Sequence, residues 1–173
     1  MSPTFEREQA RRANKDAWNE SMEQLKSALA VTVAGRERDW AETVNIAIAA
    51  VERAIRQHHA VGRDEDGLFA EVDETRPTLA RQATGIRQDH DGLLERCLAL
   101  REEVRRALEA FTLTSSSLTQ GEAAPTPAPA GGVPDFGAIR RQAEELLDLM
   151  LATRQAEAKL VLESVNHDIG VGD

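Results

Sequence analysis

The sequence predicts an all-α protein, an up-down bundle of four helices. Three observations carry that expectation. Apolar residues recur three and four positions apart over most of the chain, as in Ile86, Leu93, Cys97, Leu100 and Val104, the seam of a helix packed lengthwise on others. Aromatic residues make up only 3% and Tyr is absent, while helix-favouring Ala, Leu, Glu, Gln and Arg are abundant. A chain of 173 residues is long enough for one domain with a full-sized core.

Composition also excludes several classes. A net charge of −9 argues against a generic binder of phosphate backbones, so no nucleic-acid partner is expected. The single cysteine, Cys97, forms no intramolecular disulfide. The longest apolar runs, such as Ile46–Val51, are too short to cross a bilayer. The N-terminus, Met1 to Glu8, lacks the apolar core of a signal peptide. A cytoplasmic location is expected.

Residues 1–15 are polar and mixed in charge, and are expected to form an N-terminal arm or an early helical turn. The first helix is expected over Asp16 to Ala34, with Trp18, Met22, Leu25, Leu29 and Thr32 at helical spacing. Gly35 closes it with chemistry suited to a left-handed cap. The second helix runs from Arg38 to Val61 on a seam of Trp40, Val44, Ile48, Val51, Ile55 and His58, and Gly62 stops it. Arg63 to Arg76 is a charged connection holding the apolar plug Gly67-Leu68-Phe69.

The third helix is expected from Pro77, a residue tolerated in a first turn, to Thr112. Its seam is Leu79, Ala83, Ile86, His90, Leu93, Cys97, Leu100, Val104 and Phe111, and Gly85 lies inside it as a place for close helix approach. Residues 114–134, with four of the six prolines, read as an extended Pro/Ala/Gly-rich crossover. Helix four begins at Asp135, a good N-cap, and carries Ile139, Ala143, Leu146, Met150, Thr153, Glu157 and Leu160. Leu147, Leu151 and Val161 widen its stripe, and it ends near Asn166 to Asp168.

The seams also carry the candidate chemistry. His58, His90, Thr153 and Glu157 occupy core-facing positions on three helices. Inward histidines and carboxylates on facing helices are how bundle cores hold iron or manganese. The bland alternative is a set of core histidines hydrogen-bonded to one another, to Glu157 or to Thr153. His59 points about 100° away from His58 around the helix, and is expected to face solvent with His167. Cys97 lies one heptad from His90 and reads as an inert buried thiol. No phosphate-cradling glycine loop and no Ser–His–Asp arrangement is visible, so no enzyme is expected.

Three stretches, in order, resemble the haemerythrin-like, cation-binding family. They are Ala54-Ile-Arg-Gln-His58 followed by Asp66-Gly-Leu-Phe, Ile86-Arg-Gln-Asp-His90 before Leu93-Leu94, and Arg154-Gln155 leading to Leu160-Val-Leu-Glu163 and Asp168-Ile-Gly170. The resemblance implies a four-helix bundle with a non-haem di-iron centre, often oxygen-binding. It maps family histidines onto His58 and His90. It also expects a Glu where Gly62 stands, a second His where Ile86 or Leu94 stands, and a His at Thr153. Glu163, Asp168 and Glu157 are the carboxylates left to compensate.

The depleted ligand set implies a bundle that has lost its di-iron site, holds no cofactor and serves as a structural or interaction subunit of a larger assembly. The alternative is a surviving protein for non-haem iron or another divalent metal, with oxygen binding or sensing as its expected role and His58, His90, Glu157 and Glu163 as ligands. Oxidase or repair-type iron chemistry is a weaker third reading.

Overall fold

The computed structural model describes residues 3–63, 79–119 and 134–169; side chains are described for 5, 9–61, 79–112 and 134–164. They form four helices: α1 (Pro3–Ala30), α2 (Glu37–Arg63), α3 (Ala80–Thr119) and α4 (Phe136–Ile169). Among the described residues there is no strand. No described helix is long and apolar enough to cross a membrane.

Every neighbouring pair runs antiparallel. On α2 and α3, the Cys97 thiol faces the Ile48 carbonyl, and His58 meets His90. On α3 and α4, Phe111 stacks on Phe136 while His90 meets Glu157. On α1 and α4, Arg154 donates to Asn19, and Arg140 donates to the carbonyl of Val31, the residue after α1. In each pair the residue numbers rise on one helix as they fall on the other, which is up-down-up-down order.

The seams expected from the sequence are the buried ones. Trp40, Val44, Ile48, Val51 and Ile55 of α2, Leu93, Cys97, Leu100 and Val104 of α3, and Ile139, Ala143, Leu146 and Met150 of α4 close on Trp18, Met22, Leu25 and Leu29 of α1. One end of this main core is aromatic. Phe136 meets the edge of Trp40 and stacks on Phe111, and the Arg140 guanidinium lies over the Trp40 ring. A second, smaller cluster of Leu79, Ala83, Ile86 and Leu160 fills the other end.

Helix boundaries differ from expectation in informative places. α1 begins at Pro3, so the expected arm at 1–15 is helical from residue 3 onward. It ends at Ala30, short of Ala34, where the run Val31-Thr32-Val33 begins; β-branched side chains crowd the preceding turn. The turn that follows places Gly35 at φ 75°. Arg36 N–H donates to the Val33 carbonyl, and Gly35 N–H to Glu37 Oε1.

α2 continues through Gly62 to Arg63, because one glycine costs a helix only about 1 kcal/mol. α3 runs on to Thr119, into the segment expected to be linker. Gly67 to Phe69, Pro77 and residues 120–133 of the crossover lie outside the described residues. Asp135 caps α4 as expected, its Oδ1 accepting from Ala138 N–H at 2.8 Å. Leu147 is buried, but Leu151 and Val161 are 50% and 40% exposed and do not widen the stripe. A Cβ on Gly85 would meet nothing within 4 Å among the described residues, so the close helix approach expected there is not seen.

Candidate metal centre

Between the two apolar clusters lies a polar level. Along α3 the sequence passes from Ile86 of the small cluster through His90 to Leu93 of the main one. Along α4 it passes from Leu160 through Glu157 and Thr153 to Met150. At this level every helix supplies a polar side chain to one hydrogen-bonded chain: Asn14 from α1, His58 from α2, His90 from α3 and Glu157 from α4. The same 3.6-residue periodicity that builds the apolar seams therefore aims these groups inward.

Glu157 is the centre of the layer. Its Oε1 accepts from His58 Nε2 at 2.6 Å and from His90 Nε2 at 2.7 Å. Behind His58, the Asn14 amide Nδ2 donates to His58 Nδ1 at 2.9 Å. The His58 ring is tilted against Trp18 at 4.7 Å and meets His90 edge-on at 5.0 Å. His90 is 5% exposed at its side chain, against 19% for His58 and 16% for Glu157, so the layer opens to solvent on the His58–Glu157 side. Burial pushes the Glu157 carboxyl up, but the hydrogen bonds it accepts from His58 and His90 outweigh that and hold it at about 2.

The donor atoms of His58, His90 and Glu157 all lie within 4.8 Å of one another, the one such group of three among the described residues. Two imidazoles and a carboxylate are the donor set of His₂Glu zinc sites and of the facial triads of non-haem iron. Around one ion with metal–ligand bonds near 2.1 Å, neighbouring donors stand about 3.0–3.4 Å apart. Glu157 Oε1, now at 2.6 and 2.7 Å from the two nitrogens, has to retreat by less than about 1 Å to admit an ion, within reach of a Glu rotamer. The residues fit a mononuclear site.

Among the described residues no further donors join them to make a dinuclear one. Ile86 and Leu93 pack in the apolar clusters on either side of the layer, and Leu94 packs against the main core. Thr153 is buried but donates from Oγ1 to the Leu149 carbonyl of its own helix at 2.9 Å. Glu163 is not among the converging donors: it is half-buried and lies 3.7 Å from Lys159 of its own helix. Six residues separate it from Glu157, which turns it about 120° away around the helix. The side chains of His167 and Asp168 lie outside those described.

Two residues depart from the sequence expectation. His59 does not face solvent. It is half-buried, its ring stacked on His90 at 5.0 Å and 29°, so adjacent positions of α2 both touch α3. Asn14, in the segment expected to be an arm, is buried in the layer. Its position four residues before Trp18, on the extrapolated seam of α1, is the signal that marks it. Cys97 sits deeper in the main core. Burial pushes its thiol up to about 12, leaving it protonated and inert.

No family model, curated protein or solved structure matches the chain.

Proposed function

We propose that this four-helix bundle binds one divalent transition-metal ion, non-haem iron or zinc, through His58, His90 and Glu157. The observation that carries the reading is the convergence of two imidazole nitrogens and one carboxylate, from three different helices, within 4.8 Å at a single level of the core. A buried polar layer lowers stability relative to an apolar one, and a bundle with this much aliphatic seam does not need it to fold. Three protein donors leave further coordination positions, and the His58–Glu157 side of the layer reaches solvent. A bound ion would supply a Lewis-acidic centre there, open to a small exogenous ligand. The likeness of the three sequence stretches to the haemerythrin-like family supports the same location, with one ion in place of two.

A second reading has its own support. The 2.6 and 2.7 Å contacts are ordinary hydrogen-bond lengths, and Glu157 gives the Nε2 of each imidazole a partner. On that reading the layer is a metal-free remnant, and the protein is a structural or interaction subunit of a larger assembly. One experiment separates the two. The purified chain is loaded with Fe(II) without oxygen, or with Zn(II), then desalted and analysed for metal. The proposal expects one ion per chain, and essentially none in His90→Ala. Equal metal in parent and variant would refute it.

A further inference from the structure

The amide of Asn14 deepens this reading. It is 5% exposed, fixed one helical turn before Trp18, and donates from Nδ2 to His58 Nδ1. Its carbonyl oxygen, Oδ1, is buried with no hydrogen-bond partner. With Nδ1 accepting, a neutral His58 carries its proton on Nε2 and donates it to Glu157, the observed 2.6 Å contact. That tautomer has no lone pair on Nε2, so it cannot ligate an ion. A metal-ligating imidazole instead carries its proton on the remote nitrogen and donates it to an oxygen. Rotating the Asn14 amide by half a turn puts the unpartnered Oδ1 where such an acceptor is required. An amide presents a donor and an acceptor of nearly equal shape, so the exchange needs no repacking.

We propose that Asn14 is a positioning residue whose amide orientation selects the His58 tautomer, and so decides whether His58 donates to Glu157 or presents a lone pair to a divalent cation. In the exchange the Nε2–H bond breaks and an Nδ1–H bond forms, the proton passing through solvent on the open side of the layer, with no change in net charge. The inference rests on the cation reading of the same layer, but selection of the tautomer is observable without any metal.

The test is imidazole ¹⁵N NMR on the labelled full-length chain at about pH 8, above the ordinary histidine range, before and after adding zinc chloride. In the parent, His58 is expected as the Nε2–H tautomer without zinc and as the Nδ1–H tautomer with it. Asn14→Asp offers only acceptor oxygens, and is expected to keep a proton on His58 Nδ1 even without zinc. Asn14→Ala has neither group; both tautomers are expected in exchange, and zinc affinity falls by about 10- to 100-fold, as for the loss of other residues that orient a metal-ligating histidine. Helical circular dichroism confirms that each variant folds, and the alanine variant covers the case in which the aspartate does not. An unchanged His58 tautomer in the folded variants overturns the proposal. If the tautomers follow residue 14 while the parent takes up no zinc, selection by Asn14 stands and the cation reading falls.

Discussion

Glu157→Gln isolates the charge at the centre of the layer. Glutamine keeps the shape and an acceptor oxygen but resembles the protonated acid. The environment that holds the Glu157 carboxyl at about 2, against its ordinary 4.5, therefore measures what the substitution removes. At about 1.4 kcal/mol for each tenfold change in acidity, this amounts to about 3 kcal/mol at neutral pH. The sign follows from linkage: a depressed carboxyl stabilises the fold fully above its unfolded value, and loses that contribution as pH falls through the folded one. The gap between parent and variant should be about 3 kcal/mol at pH 7 and only about 1–2 kcal/mol at pH 3. Urea unfolding followed by helical circular dichroism at both pH values measures it by linear extrapolation. A gap that is near zero at pH 7, or that does not narrow with acid, refutes the charged layer described here.

Replacing the whole layer should act in the opposite direction. With Asn14→Leu, His58→Leu, His90→Leu and Glu157→Met combined, stability should be unchanged or higher by up to about 4 kcal/mol, measured by the same denaturation, while metal uptake disappears. Met150→Ala, at a fully buried position of the main core, should cost about 2–5 kcal/mol without altering the donor set, measured by unfolding and metal loading in parallel. Gly85→Ala, where the added methyl meets nothing within 4 Å, should raise stability by about 1 kcal/mol, read as an increase in melting temperature.

The helices were legible because their seams are strict. From Ile86 to Val104 the steps alternate four and three, and those residues are the buried face of α3. His90 stood out because it interrupts that run, and His58 because it extends one. Asn14 was hidden because the first turns of α1 are polar, so no apolar period leads into it; only the backward extension from Trp18 reaches it. Spacing alone turns His59 away from the core because it treats a seam as one residue wide. The α2–α3 contact is broad enough for neighbouring side chains to meet His90 from two directions. Glu163 has a ligand's residue type and a place in the motif, whereas helix rotation decides where it points. The early end of α1 comes from three β-branched neighbours whose weight against a continuing helix depends on the turn that follows.

X-ray absorption on the zinc-loaded protein tests the account most directly, because it reports what surrounds the ion. A single zinc is expected, with nitrogen and oxygen donors at about 2.0–2.1 Å, the outer-shell scattering of two imidazoles, and no second metal nearby. A spectrum without imidazole scattering, or zinc that washes away on desalting, contradicts it.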